Sequence, residues 1–344
     1  MNRSCLIIIL ILPGLILSSC FKEDEKITPH DPGDVITDSV RIANDGLYYY
    51  QAYYDLSSER IVSTNQRNTW DLGFEGSEKG SRIILNSANF MVSAESGITD
   101  FSLPIDTVGY TWKFDASSGN PDTTAFGGWV SYSGSDSLKI YSNQIYVIDR
   151  GYDAEGRLRG LKKVVFMEVT DTYYVLRFAN LDGSSDDTDT VYKDPAVNFA
   201  CFSFDDGGSQ IQIEPPKDKW DLVFTQYTTL LYTDEGDPYP YLLTGILSNP
   251  AGVTVAQDTL FDFISIDLNT ALSLHFTPTP DEIGYDWKDI VGDVSSGDVS
   301  YIIVEGRNYV VRDAEGFYYK LRFISFYSLN NGDKGVPTFE FQKL

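Results

Sequence analysis

The feature that most constrains the fold of this chain is an internal repeat. The segment NTWDLGF, residues 68–74, returns as DKWDLVF at residues 218–224. Other landmarks recur around it in the same order, among them GYTWK at 109–113 and GYDWK at 284–288. Chance matches have no reason to keep their order, so the repeat predicts two homologous domains that differ by loop insertions.

Composition predicts that both domains are built from β-strands. The chain has 23 tyrosines and 20 phenylalanines, and the segments between turn signals are short, often alternating and rich in β-branched and aromatic residues. Examples of such segments are residues 144–148, 162–169, 173–181 and 318–326. We find no long stretch with apolar residues at helical spacing. The sequence therefore predicts an all-β fold of two tandem antiparallel, sandwich-like domains.

The repeated WDL motif has a structural interpretation. Side chains alternate along a strand, so Trp and Leu of each motif are expected on one face and Asp on the other. Trp70 and Trp220 then fill the core, and the carboxylates of Asp71 and Asp221 hold neighbouring loops by accepting backbone N–H bonds. These four residues are interpreted as structural markers of the repeat, and not as catalytic groups.

The amino terminus predicts an exported lipoprotein. Residues 6–17 form an apolar run of 12 residues behind Arg3, which is short of the roughly 20 residues that span a bilayer. The run ends in LSSC, and the small residues before Cys20 resemble the lipobox of bacterial lipoproteins. We expect residues 1–19 to be a signal peptide and Cys20 to carry the lipid. The alternative is an ordinary secretory signal with a chance cysteine at its cleavage site.

The stretch after the cysteine is charged and rich in Pro and Gly. Residues 20–40, which include FKEDEK, predict a mobile tether. FKEDEK resembles the signals that send lipoproteins of Bacteroidetes-type bacteria to the outer face of the outer membrane, although such runs are also typical of a plain solvated tether. Domains are expected at 41–182 and 196–344, with a solvated linker at 183–195. The acids of that linker also suit a calcium loop, but it lacks the EF-hand spacing and glycine.

Charge, cysteine content and missing motifs exclude several functions. The chain has 26 basic and 50 acidic residues, and its formal net charge of −24 repels nucleic acid. Besides Cys5 in the signal and Cys20, it contains only Cys201, so no internal disulfide is expected. It has no G-x-S-x-G elbow, HExxH motif or phosphate-binding glycine loop. We expect no enzyme, with two-carboxylate glycoside hydrolysis left as the alternative.

Nine short motifs, kept in order, together span nearly all of residues 45–344. They are YYDLSSERIV, NTWDLGF, IILNSANF, AFGGWVSYS and NQIYVIDRGYDAEGRL in the first half, and CFSFDDGG, DKWDLVF, RNYVVRDAEG and YYKLRFISF in the second. In this order they resemble the HmuY family of Bacteroidetes haem-binding outer-membrane lipoproteins. The resemblance implies an all-β protein that captures haem outside the cell and passes it to a TonB-dependent receptor.

The resemblance also implies axial ligands for the haem iron, which are most often His and sometimes Met or Tyr. In the family's best-known form, a histidine follows the Gly-Gly-Trp stretch by a few residues. Here GGWVSYS, residues 127–133, is followed by Gly134, and the first domain contains no histidine. The remaining candidate ligands are His275 in LSLHFTP, interpreted as a strand, and Met91 and Met167. For each of them, simple packing or surface exposure is the alternative role.

The sequence thus predicts a cell-surface lipoprotein that captures haem or a related tetrapyrrole without a bis-histidine site. The alternative is a non-enzymatic surface module that binds a glycan, a peptide or a receptor through aromatic-rich loops such as DEGDPYPYLL, residues 234–243. A pocket lined by aromatics near Met91 or His275 favours haem. A shallow tyrosine-rich groove between the domains favours the alternative.

Overall fold

A computed structural model describes residues 32–133, 138–293 and 298–344. The predicted signal peptide, Cys20 and the first part of the predicted tether lie outside these residues. Within them, the single α-helix, α1, covers Leu268–Leu272, and strands dominate the rest, so the predicted all-β fold is confirmed. No helix of the described part is long and apolar enough to cross a membrane.

The described residues contain 24 strands and six 3-10 turns. In chain order the strands are β1 Ile36–Ser39, β2 Ala43–Asn44, β3 Leu47–Tyr48, β4 Tyr50–Asp55, β5 Arg60–Gln66, β6 Leu72–Glu75, β7 Ile83–Leu85, β8 Val92–Glu95, β9 Val130–Ser133, β10 Leu138–Tyr141, β11 Ile145–Asp149, β12 Leu161–Val169, β13 Tyr173–Ala179, β14 Asp187–Tyr192, β15 Phe199–Ser203, β16 Ser209–Ile211, β17 Leu222–Tyr232, β18 Pro238–Ser248, β19 Thr254–Asp258, β20 Lys288–Asp293, β21 Asp298–Ile303, β22 Asn308–Arg312, β23 Tyr318–Tyr327 and β24 Lys334–Lys343. The 3-10 turns are Arg67–Thr69, Ser87–Asn89, Pro121–Thr123, Asp205–Gly207, Phe263–Ser265 and Pro280–Glu282.

Nine strands form the first of two β-sandwiches. One sheet has the order β14-β13-β12-β11-β8 and the other β16-β15-β6-β7, with antiparallel neighbours throughout. The inward side chains of both sheets share one core, in which the Phe74 ring lies 5.1 Å from Tyr174 and 6.2 Å from Phe166. This packing buries one side of each sheet, as expected for an antiparallel sandwich.

The second sandwich has the same organisation. Its sheets have the orders β1-β24-β23-β22-β19 and β18-β17-β4-β5. Trp287 is buried in its core and stacks on Phe323 at a ring separation of 4.1 Å. Three smaller hairpins, β2-β3, β9-β10 and β20-β21, lie outside the four main sheets.

Each sandwich is completed by strands from the other half of the chain. β4, from the first half, pairs with β17, so that Tyr54 lies opposite Leu222. β15, from the second half, pairs with β6 and places Phe202 opposite Leu72. The edge strand β1 follows the same rule, because it pairs with β24, whereas the edge strand β14 pairs with its sequence neighbour β13. The two halves are therefore interleaved by strand exchange.

This pairing corrects the domain limits expected from the sequence. The predicted linker at 183–195 contains β14, and the predicted tether at 20–40 ends in β1. Neither 41–182 nor 196–344 holds a complete sandwich, because each contributes strands to the other. The order of motifs reveals a repeat, but strand partners are set by long-range packing that the order does not encode.

Equivalent side-chain contacts recur in the two sandwiches. Lys163 in β12 is buried, donates to two backbone carbonyl oxygens and lies 4.9 Å from the centre of the Phe101 ring. Lys320 in β23 is buried in the same way, also donates to two carbonyl oxygens and lies 5.0 Å from the Phe263 ring. The repeat in the sequence is thus accompanied by a repeat in side-chain contacts.

Candidate functional site

A cavity of about 420 Å³ lies between the two sandwiches. Its walls are the outer faces of the sheets β16-β15-β6-β7 and β18-β17-β4-β5, together with loop residues 115–121 and 278–280. We call it the central cavity. Small-molecule sites span roughly 300–1,000 Å³ and are rich in apolar and aromatic side chains. The aromatic side chains that line the central cavity are Tyr53, Trp70, Phe199 and Trp220.

Both tryptophans of the repeated motif line this cavity, and the protein binds the N–H group of each indole. Trp70 Nε1 donates to Gln51 Oε1 at 2.8 Å, and Trp220 Nε1 donates to Glu214 Oε1 at 3.3 Å. These hydrogen bonds fix the orientation of the rings. They leave the apolar surfaces of the indoles as the parts that a ligand can contact.

The structure corrects the orientation expected for the motif. Leu72 and Leu222 enter the two sandwich cores, whereas Trp70 and Trp220 face the central cavity. The physical reason is that β6 and β17 begin only at the leucines. Strand alternation therefore does not extend back to the tryptophans.

The aspartates of the two motifs hold loops. Asp71 Oδ2 accepts the Phe204 N–H at 2.8 Å and also forms a salt bridge with Arg150 at 2.9 Å. Asp221 Oδ2 accepts the Leu56 N–H at 2.9 Å, and burial raises the pKa of this carboxyl to about 7. Neither aspartate lines the central cavity. Their contacts serve the strand exchange, because each carboxylate binds a backbone group from the other half of the chain.

Two buried carboxylates line the central cavity. Asp115 accepts the N–H groups of Leu85 at 2.6 Å and Ala125 at 2.9 Å, and burial raises its pKa to about 6. Glu214 accepts the backbone N–H and the side-chain amide of Asn198, and burial raises its pKa as well. Because protein donors already bind these oxygens, the two groups organise the walls of the cavity.

A second cavity of about 540 Å³, which we call the open cavity, adjoins the central one. The two cavities share Arg82, Asn198 and Phe199 among their lining residues. The open cavity is also lined by Lys217 and by the Gly-Gly-Trp stretch at 127–129 that the sequence had singled out. We call the two cavities together the cleft. Arg82 and Lys217 cannot be singled out from the sequence, because a basic residue beside a strand or turn carries no signal of its own.

The structure does not bring the predicted iron ligands together. Met91 is 1% exposed and belongs to the core of the first sandwich, whereas Met167 is 43% exposed at a β-bulge in β12. His275 is exposed in a loop after α1, and not in the strand that its sequence suggested. None of these three residues lines the cleft.

The side chains of the central cavity are poorly suited to coordinate haem iron. Of the residue types that ligate haem iron, its lining contains only Tyr53 and Cys201. Burial raises the pKa of both groups well above the usual range, which disfavours the phenolate and the thiolate that bind metal. Across the described residues, no group of three or more His, Cys, Asp or Glu side chains is placed to hold a metal ion. The central cavity therefore offers haem iron no prepared ligand.

A shallower groove of about 530 Å³ carries several tyrosines. Tyr48 and Tyr152 line it from the first half of the chain, and Tyr241 of β18 lines it from the second. Beside it, the exposed Tyr239 and Tyr241 lie with their rings 6.2 Å apart on the β17–β18 hairpin. We call this surface the tyrosine groove. A shallow groove with exposed tyrosines is the feature expected for the alternative function, which is binding of a glycan, a peptide or a receptor.

Comparison with known proteins gives one family match. The family described as HmuY protein matches residues 267–341. A search of curated proteins gives no match. Among solved structures, apo PinO from Porphyromonas gingivitis is similar to this chain at 10% identity and a TM-score of 0.29, over 91% of this chain and 98% of that one.

Two further solved structures are similar to this chain, also at low sequence identity and low TM-score. A protein from Bacteroides vulgatus described as HmuY-like and haem-binding is 17% identical with a TM-score of 0.18, over 52% of this chain and 90% of that one. An apo HmuY analog from Tannerella forsythia is 8% identical with a TM-score of 0.25, over 91% and 98%. The resemblance to the HmuY family found in the sequence agrees with the family match over residues 267–341.

Proposed function

We propose that this protein is a non-enzymatic, lipid-anchored surface protein of the HmuY type. It captures haem or a related tetrapyrrole and presents it to a TonB-dependent outer-membrane receptor. The observation that carries the proposal is the central cavity, in which both repeat tryptophans present their rings to one space between the sandwiches. The class of ligand is the one that the resemblance to the HmuY family implies, and the family match over residues 267–341 supports that resemblance.

The cavity suits the body of a tetrapyrrole for a physical reason. A porphyrin is flat and largely apolar, and aromatic side chains contact flat rings by stacking or edge-to-face packing. Trp70 and Trp220 have their N–H groups bound to protein, so contact with their rings costs no hydrogen bond. Binding in this mode depends on the porphyrin surface and does not require a bis-histidine site.

A haemin titration of the chain from Phe21 onward tests the proposal. We expect a saturable Soret change at one equivalent and quenching of tryptophan fluorescence. Trp70→Ala and Trp220→Ala each remove a wall of the central cavity and should weaken binding about tenfold or more. Trp112→Ala is the matched control, because Trp112 does not line the cleft. A spectrum that stays that of free haemin, without saturation, would contradict haem capture.

The same titration tests the ligands suggested by the sequence. Met91→Leu, Met167→Ala and His275→Ala should all keep the haemin spectrum, because none of these side chains lines the cleft. Loss of the Soret change in one of them alone would identify that residue as an iron ligand. It would also move the binding site away from the central cavity.

The surface location rests on the amino-terminal sequence. Cys20→Ala in the full chain should abolish incorporation of labelled palmitate and release the protein from the membrane fraction. Protease treatment of intact cells should degrade the unaltered protein if it faces the exterior. Protection from protease in intact cells, together with digestion after lysis, would place it on the inner side instead.

The tyrosine groove favours a second candidate function, which is binding of a protein or glycan partner. Tyr239 and Tyr241 are exposed and add contact area with little rotamer entropy to lose. A Tyr239→Ser, Tyr241→Ser double variant should then lose a partner that the unaltered protein captures from an outer-membrane extract. Equal capture by both proteins would remove this candidate.

A further inference from the structure

We propose that the cleft selects tetrapyrroles by their carboxylate groups and not by their metal. Arg82 is the residue that binds a ligand carboxylate, and Lys217 is a second cation at the open side. This inference rests on the proposed function and narrows the ligand to acidic porphyrins, with or without iron.

Arg82 lies where the central and open cavities meet, and it lines both. Its Nε is buried and has no hydrogen-bond partner among the described residues. Its guanidinium forms no salt bridge with them either, and its nearest aromatic neighbour is the Phe199 ring at 5.8 Å. Buried polar groups are almost always hydrogen-bonded in folded proteins, so this donor points to an acceptor that a ligand supplies.

The carboxylates around Arg82 do not supply that acceptor. Glu75 accepts the backbone N–H of Arg82 at 3.2 Å and the Ser77 hydroxyl at 2.9 Å, but it lies beyond salt-bridge distance of the guanidinium. Asp115 and Glu214 are bound by the backbone donors described above. A ligand carboxylate is the acceptor that fits, because the planar guanidinium binds such groups through two parallel hydrogen bonds.

The arrangement of charge in the cleft matches an amphipathic acid. The inner part presents the rings of Tyr53, Trp70 and Trp220, and the cations Arg82 and Lys217 line the open part. Within the described residues, neither cation forms a salt bridge. A flat apolar body in the inner part would therefore place acidic substituents at the open side. The cleft is also lined by the carboxylates of Glu75, Asp115 and Glu214, but protein donors bind all three. Arg82 and Lys217 are the cationic groups of the cleft, and neither forms a salt bridge among the described residues, so they are the groups left to bind an anion.

Metal independence follows from the lining of the cleft. The described lining contains no histidine or methionine, and burial disfavours the ionised forms of Tyr53 and Cys201. Affinity must then come from ring contacts and from charge. Removing iron leaves the ring surface and both carboxylates of the porphyrin in place, whereas esterifying the carboxylates removes their charge.

The experiment compares three probes and three proteins by quenching of tryptophan fluorescence. The probes are haemin, protoporphyrin IX and protoporphyrin IX dimethyl ester. The proteins are the chain from Phe21 onward, its Arg82→Gln variant and an Arg60→Gln control, in which an exposed arginine of β5 is changed. Circular dichroism confirms that each variant is folded.

We expect haemin and protoporphyrin IX to bind with affinities within about threefold of each other. Arg82→Gln should weaken both about tenfold, the effect of losing one charge-assisted interaction, and should leave the ester unchanged. Arg60→Gln should bind all three probes normally. Equal weakening of acid and ester, or no weakening, would overturn the role of Arg82 while the proposed function stands. Binding of haemin without protoporphyrin IX would overturn metal independence, and failure of all three probes would overturn the proposed function itself.

Discussion

Strand exchange predicts the effect of changing two core residues that occupy equivalent positions. Phe202, from the second half, is buried in the first sandwich, with its ring 5.6 Å from Phe178. Tyr54, from the first half, is buried in the second sandwich, with its ring 5.2 Å from Phe339. Replacing a fully buried Phe by Ala costs about 3–5 kcal/mol, and we expect a similar loss at Tyr54. In each variant the destabilised sandwich is the one built mainly from the other half of the chain.

Hydrogen exchange measured by mass spectrometry distinguishes the two sandwiches. Because 1.4 kcal/mol is a factor of ten, Phe202→Ala should raise the opening equilibrium of β11–β13 by about two to more than three orders of magnitude. Tyr54→Ala should raise that of β22–β24 by a similar factor. Each variant is the matched control of the other. If Phe202→Ala released β22–β24 and spared β11–β13, the exchanged topology would be refuted.

Two further predictions concern the backbone and pH. Gly151 has a φ of +66°, and an added Cβ would overlap the Asn89 carbonyl oxygen, whereas Gly156 has a φ of +77° and open space around it. Gly156→Ala should lower the free energy of unfolding by about 1–2 kcal/mol, and Gly151→Ala should lower it by clearly more. Urea denaturation measures both losses, and equal losses would contradict the overlap. Burial raises the pKa of Asp221 from 3.8 to about 7, so the folded state holds this proton more tightly and the contribution of Asp221 to stability falls as pH rises from about 4 to 7. Asp221→Asn should flatten the fall in urea midpoint between pH 5 and pH 7.5, and an unchanged slope would contradict the assignment.

Many strands could be predicted from local pattern alone. The alternating and aromatic segments at 162–169, 173–181 and 318–326 correspond to β12, β13 and β23 within two residues at each end. Such segments bury one face of a sheet. Where only one face is buried, apolar residues recur at every second position, and this alternation is visible in the sequence. The repeat was visible for the same reason, since both halves need the same inward side chains in the same order.

Features set by contacts between distant parts of the chain could not be predicted. A strand such as β4 has the same pattern whichever β-strand it pairs with, so the exchange leaves no local signal. The tryptophans of the repeat were misplaced because the strand start at Leu72 is a tertiary result. Arg82 could not be singled out, because its lack of a partner is visible only in three dimensions. His275 was misread as part of a strand because a short apolar run does not distinguish a strand from a loop packed on the core.

The exchange and the candidate site are linked through the two sheets that enclose the central cavity. One wall consists of β4 and β5 from the first half with β17 and β18 from the second, and the other consists of β6 and β7 with β15 and β16. Each wall thus needs both halves of the chain. A fragment containing one copy of the repeat lacks half of both walls, including one of the two tryptophans, so it cannot form the cavity. The proposed ligand binding at this site therefore requires both halves of the chain, and a failure of residues 41–182 alone to bind haemin would not contradict it.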